Sequence, residues 1–531
     1  MGKTCAMLHL QKALCLCATL IAGMASTLPL PAWAESVLLE AGDLFQLGGI
    51  GWVATGLDMP EPESGLPIIE ASDNSPEAAL LRRLDNAGKA AGFDGVLYDN
   101  RDRGHSLVPP GMFPRLIRLE FGPELRKQDM DYGVAGQVVL PAIVIGNSST
   151  AITRGDIPRS QGRLAMTVPR YSKRAFLSYV SNQLYIYPEH RDYDGHDRFP
   201  VNWPYTVISE GSSHSDKPFM RAFLMSVAAL TPETRDRLRE ESLIVPTLQM
   251  VMRRSQPGIY SRDAYKAGPA HRAVFAKGRL APERMVALAA SLKPDEIPPM
   301  VRLRVEEEDF RVRAGLAGMP EQLFNTPSSI ARIWRGPEYS RHMVVSAADT
   351  EDPNGRDLEF TWVLLQGDPS RIRITPEAPG AARAEISIDW HDRFKADPDE
   401  PRTTDRVDIG VFAWNGAHES APAIISISFP NHQKRIYEPS PNDGGMRLKS
   451  VDYDAKARRA DYDPLLHWSA PWKDVIRYDD AGATTGLLRE TKDGVFELSG
   501  QGRIQDGRTV TYTLEREKQD RILSMKVTPT D

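Results

Sequence analysis

The sequence predicts a multidomain chain: an N-terminal α/β or α+β domain, then a β-sandwich, then a small β-rich C-terminal region. Three observations predict it. Up to about residue 325 short apolar runs alternate with helical periods, whereas from Arg341 the runs shorten, alternate strictly and lose the helical period. A chain of 531 residues also exceeds one core, at about 100–200 residues per domain. The boundaries expected are 35–325 for the mixed domain, 338–432 for the sandwich and 446–531 for the tail, behind a leader at 1–34.

The leader reads as a signal peptide. Lys3 and Lys12 precede the apolar stretch "ALCLCATLIAGMASTLPL", and "PAWA" offers a small-x-small cleavage site after Ala34. Pro29 and Pro31 interrupt the run, which makes it a poor membrane span, and no later run is long enough to be one. Cys5, Cys15 and Cys17 all lie in the leader, so the remainder has no thiol for disulfides, nucleophiles or metal. That suits an oxidising envelope compartment, and the expected location is periplasmic or secreted. A net charge of −6 with interspersed signs argues against a nucleic-acid partner.

In the mixed domain, "SVLLEAGDLFQL" and "GWVATG" read as short strands before the turn "MPEPESGLP". In "SPEAALLRRLDNAGKAAGF", Ser75 can N-cap a helix with Pro76 at its first position and Ala79, Leu80, Leu81 and Leu84 as its apolar face; Gly92 can end it. "GVLYDNRDRGHS" reads as a strand entering a charged loop, and "RLIRLEF" as another strand. "GQVVLPAIVIG", apolar on both faces, reads as a central one. A helix at "KRAFLSYVS" leads to the strand "QLYIYP", and "YTVISEGSSHSDKPFMRAFLMSVAAL" reads as strand, Gly/Ser loop and helix. Helices follow at "TPETRDRLREESL", capped by Thr231, then at "PTLQMVMRRS" and "APERMVALAASL", before the strand "MVRLRVEEEDF".

Beyond Arg341, "LEFTWVLL", "RIRITP", "AEISIDW", "VDIGVFAWNG" and "AIISISF" alternate as sandwich strands. Over about residues 340–430, "SAADTEDPNGRDLEFTW" and "VDIGVFAWNGAHES" resemble the PKD and related immunoglobulin-like modules of exported bacterial proteins. The resemblance implies an Ig-like sandwich. In the tail, Gly482, Gly494, Gly502 and Gly507 punctuate alternating runs, the pattern of a meander of hairpins. Trp390, Trp414, Trp468 and Trp472 are candidates for stacking on sugar rings, whereas Trp362 reads as core.

The chemistry concentrates in three loops, each after an expected strand. "PEHRDYDGHD" offers Glu189, His190, Asp192, Asp194, His196 and Asp197. Imidazole with carboxylate suits zinc; alternating aspartates beside Gly195 suit calcium; an ordered polar turn needs neither. His190, Asp192, Asp194, His196 and Asp197 are therefore the candidate ligands of a divalent metal, calcium or zinc, and Glu189 is a catalytic candidate. "YDNRDRGHS" adds Asp102 and His105 as candidate acid/base groups and Arg101 and Arg103 as anion holders. "SEGSSHSD" adds His214 and Asp216 as catalytic candidates and Ser212 and Ser213 as ligand-binding ones. Asp216 before Lys217 and Pro218 also reads as a simple N-cap, and the Gly-x-Ser-x-Gly elbow of a serine hydrolase is missing. In an open α/β sheet such loops share the edge where ligands bind. The expected function is an exported envelope protein that binds, and as an enzyme would hydrolyse, a glycan or other polymeric or anionic ligand at these loops, assisted by metal or carboxylate. The alternative is a non-catalytic scaffold or adhesion-type protein.

Overall fold

The computed structural model describes residues 35–530 apart from 49–50, 61–64, 134–137, 151–161, 317, 398–399, 431, 442–443, 454–465, 467, 501–502, 505–507 and 517–522. The leader expected at 1–34 lies outside the described residues. The chain is multidomain, with an N-terminal parallel α/β sheet and several β-sheets after it.

The first sheet contains β1 (Ser36–Leu39), β2 (Val96–Asn100), β3 (Ile117–Phe121), β4 (Ile143–Asn147), β5 (Gln183–Pro188) and β6 (Val207–Ser209), in the order β1-β3-β2-β4-β5-β6 and parallel throughout. Every residue of β4 and β5 is buried, as a parallel strand covered on both faces requires. Helices α1 (Pro76–Asn86), α2 (Pro169–Val180), α3 (Lys217–Ala229), α4 (Pro232–Glu240), α5 (Ile244–Ser255) and α6 (Pro282–Ser291) surround it. Helices α1, α3 and α6 pack on one another and α3 packs on β4, whereas α2 packs on β5. The predicted caps form: Ser75 Oγ accepts from the Ala78 N–H at 3.3 Å, and Thr231 Oγ1 from the Thr234 N–H at 3.2 Å. The expected single strand "GQVVLPAIVIG" is split around Pro141, which has no N–H to donate to a ladder. Val138–Val139 pairs with Gly51–Ala54 instead, and only Ile143–Asn147 is central.

The β region begins earlier than the expected 338. Strands β7 (Arg304–Glu308), β8 (Gln322–Thr326) and β9 (Ser329–Ile333) already belong to its two sheets. With β10 (Ser340–Ser346), β11 (Glu359–Gln366), β12 (Ile372–Pro376), β13 (Arg383–Asp389), β14 (Arg406–Trp414) and β15 (Ala423–Ser428), they form a four-stranded sheet β7-β10-β13-β12 and a five-stranded sheet β8-β9-β15-β14-β11. Met343, Val345, Ile386 and Ile388 of the first meet Ile330, Trp362, Val407, Ile409 and Ile425 of the second in one core. Trp362 is buried and donates to the Ala381 carbonyl.

The tail holds a five-stranded antiparallel sheet, from Lys434–Pro439 to Gly494–Ser499, and a separate three-stranded one. Trp390, Trp468 and Trp472 are buried and so cannot stack on a sugar as the sequence suggests, and the Arg262 guanidinium covers one face of the half-buried Trp414, 3.7 Å from its ring centroid. Among the described residues no helix is long and apolar enough to cross a membrane.

Candidate functional site

Between β2 and β4 the sheet has its topological switch: the chain leaves β2 for β3 on one side, then returns to β4 on the other. The carboxyl ends of this pair mark the crevice where open α/β sheets hold ligands. Its floor is polar. Ser149 Oγ donates to Asp102 Oδ1 at 2.7 Å, and Asn147 Nδ2 donates to Asp216 Oδ2 at 3.1 Å. Ser106 and Asn147 hydrogen-bond Asp216, and Asp102 lies close enough to repel it, but burial is the largest influence and pushes the Asp216 carboxyl above its ordinary value. Among the described residues, Asp102 Oδ2 and Asp216 Oδ1 have no hydrogen-bond partner. Above the carboxylates lie two exposed imidazoles, His105 and His214, with ring centroids 6.0 Å apart. His105 Nδ1 stands 3.9 Å from Asp102 Oδ2, and the His214 N–H donates to Ser106 Oγ at 2.9 Å, which ties the two loops together.

Beneath this floor a buried trio holds the start of the β2 loop. Tyr185 donates to Asp99 Oδ2 at 2.7 Å, while Arg101 pairs with Asp99 at 3.5 Å and donates to the carbonyls of Gly133 and Met130. Burial raises the Asp99 carboxyl, and Arg101 opposes that rise. Gly146 makes room for it: a Cβ there would lie 2.5 Å from the Asp99 carbonyl and 2.6 Å from the Tyr185 ring.

The loop after β5 reaches the same edge through its backbone. Glu189 Oε1 accepts the Gly211 N–H at 2.7 Å, Glu189 Oε2 accepts the Tyr193 N–H at 3.2 Å, and the His190 N–H donates to the Gly211 carbonyl at 3.0 Å. Of eight non-glycine residues at positive φ among those described, Arg103, Ser106, His190, Arg191 and His214 fall in these three loops. Such backbone costs on the order of 1–3 kcal/mol per residue and persists where surrounding contacts over-determine it.

The structure brings together Asp102, His105, His214 and Asp216, and separates them from the other candidates. Glu189 is a buried clasp between two loops, its carboxyl raised by burial, rather than an open acid. Arg101 is consumed by the trio, and Arg103 is matched by Asp129 and Asp131 at the rim. Ser212 and Ser213 lie on the same turn as His214, and among the described residues neither hydroxyl bonds its imidazole. Asp216 does not cap α3 with its side chain; its φ of −74° and ψ of −27° are helical and its carboxylate turns inward.

The five metal-ligand candidates do not converge, and among the described residues no group of three or more His, Cys, Asp or Glu side chains is arranged to hold an ion. Asp192 pairs with Arg163 at 3.1 Å, Asp197 with Arg406 at 2.9 Å, and His196 with Asp405 at 2.9 Å, while Asp194 is exposed and His190 Nε2 is buried with no hydrogen-bond partner among the described residues. The strand His196–Asp197 runs parallel to Thr403–Thr404 of the β region. The densest ligand-like stretch of the sequence is a seam between units.

Sequence reasoning missed Asn147, Ser149 and Ser106. The signal for the first two was "GNSS", a small polar run ending a central strand, where a buried apolar sheet meets its ligand edge. No protein-family model matches the chain, and no curated protein matches it. Among solved structures, it is similar to a nucleoside hydrolase-related hypothetical protein from Saccharophagus degradans that is associated with carbohydrate metabolism. That likeness covers 54% of this chain and 72% of the other at 9% identity, with a TM-score of 0.19. At that score it carries no argument, and the site stands on its own geometry.

Proposed function

We propose that the crevice at the β2/β4 switch binds a polar, glycan-like or anionic ligand and hydrolyses it, with His105 and His214 as the proton-transfer groups. The observation that carries this reading is the pair of solvent-facing imidazoles set over two buried carboxylates at the ligand edge of a parallel sheet. Asp102, 3.9 Å from His105 Nδ1, would orient that imidazole as it takes a proton from water. Asp216, raised by burial, would hold a proton to higher pH than an ordinary aspartic acid. Serine catalysis fits poorly: Ser149 is bonded to Asp102 itself, so aspartate rather than imidazole faces its hydroxyl. The leader, the cysteine-free remainder and the β modules after residue 301 support export to the periplasm or beyond and an Ig-like or PKD-like spacer role for the two-sheet unit.

Turnover on a panel of nitrophenyl glycosides and phosphoesters tests the reading. His105→Ala and Asp102→Asn should each lower kcat by about 100-fold or more, the range of a lost general acid or base, with unchanged thermal unfolding. Native protein inert on the whole panel, or a His105→Ala variant with native kcat, would overturn it in favour of a non-catalytic binding role.

A further inference from the structure

Beside the crevice lies a second cleft of about 380 Å³, within the usual range for a small-ligand pocket. One wall, Leu107, Val108 and Met112, continues directly from Ser106 of the β2 loop; another is Leu280, just before α6. The cations in its lining are Lys217, Arg221 and Lys277. Arg221 is already matched: it pairs with Asp73 and Glu77 at 2.6 Å each and donates to Ser75 Oγ at 2.8 Å, fastening α3 to α1. Lys217 and Lys277, from separate elements, make no ion pair among the described residues, and the acid in the lining, Glu77, is held by Arg221. Lys217 also opens the 13-residue α3, whose amino-terminal dipole adds to the positive potential there.

Two ammonium groups without an ion pair among the described residues, opposite an apolar wall, suit one kind of ligand. We propose that this cleft is a recognition subsite for an amphipathic organic anion, a phosphate or carboxylate group carried on an apolar body. The anionic group would lie between Lys217 and Lys277 and the body against Leu107, Val108, Met112 and Leu280. Lys217 directly follows Asp216, and Leu107 directly follows Ser106, so a ligand held here extends toward the His105/His214 mouth. Only that direction rests on the hydrolytic reading; binding in the cleft does not.

Calorimetric titration of the full chain with phenylphosphonate, whose P–C bond offers no ester to hydrolyse, tests it, alongside inorganic phosphate and benzyl alcohol. Phenylphosphonate should bind saturably at one site and more tightly than either comparator, since only it carries both parts. Lys217→Gln with Lys277→Gln should weaken that binding about tenfold or more, as expected for lost charge-assisted contacts, while leaving the circular-dichroism melt unchanged. No saturable heat in the native chain, or native affinity in the double variant, would overturn the proposal. The titration involves no turnover, so its failure leaves the crevice reading intact, and inactivity at the crevice leaves the subsite intact.

Discussion

Asp216 shows how one side chain separates capping from chemistry. An aspartate before Lys-Pro is placed to cap a helix, but its backbone is already helical, and its carboxylate turns to Asn147 and Ser106 under the sheet edge. Burial makes ionisation there unfavourable, so the folded chain keeps this proton where the unfolded chain releases it. The folded value lies above the unfolded one, so stability falls as pH rises from about 4, the ordinary aspartate value, toward the higher value of the buried group. Asparagine at 216 retains an oxygen for Asn147 Nδ2 and has no charge to desolvate. Asp216→Asn should therefore flatten the fall of Tm with pH across that window and melt higher than the native chain above it. Differential scanning calorimetry from pH 4 to 8 reads both; an unchanged slope would place the cause elsewhere, with Asp99 the next buried carboxyl to examine.

At the scale of elements, the short strand His196–Asp197 gains its meaning from a partner far along the chain. His196 Nδ1 lies 3.0 Å from Thr403 Oγ1, 207 positions away, and Arg406 links Asp197 and Asp408 at 2.9 Å each in a site with almost no solvent. Arg406→Met should destabilise the protein by about 3–5 kcal/mol, because removing the cation leaves buried carboxylates uncompensated; a urea midpoint near the native value would count against it. The same contrast explains what was legible. The caps at Ser75 and Thr231 each depend on a hydrogen bond spanning three residues, so they could be read locally. The strands before the three loops could also be read, since burial on both faces leaves continuous apolar runs. Strand order could not, and it decides that Asn147 and Ser149 join Asp102 and Asp216 while Asp192 and Asp197 are spent on Arg163 and Arg406. A run of imidazoles and carboxylates looks the same in sequence whether it faces a ligand or a neighbouring sheet.

For the molecule as a whole, the joints between units contain histidines kept neutral by burial. His271, of the mixed domain, packs its ring 5.0 Å from Phe412 of β14 and 5.1 Å from Tyr265, and burial pushes its imidazole well below the ordinary value. His432, between the β region and the tail, is pushed down to about 3, again chiefly by burial, with the Trp468 backbone hydrogen bond opposing the shift. The unfolded chain takes up protons at these imidazoles near pH 6.5, about the value of a free histidine, while the folded chain refuses them. Their contribution is therefore complete above that pH and is lost progressively as pH falls, for His432 down to about 3. This slope is opposite in sign to that of Asp216, so the most stable pH reflects both. Lowering the pH from 7.5 to 5 should reduce the urea midpoint, and a His271→Gln, His432→Gln double variant should lose less over the same interval even though its midpoint at pH 7.5 is lower. Because both imidazoles sit at joints rather than in the middle of a sheet, proteolytic cleavage near residues 271 and 432 should accelerate at pH 5 before far-ultraviolet circular dichroism changes. Simultaneous loss of both signals would instead mean that the units unfold as one cooperative body.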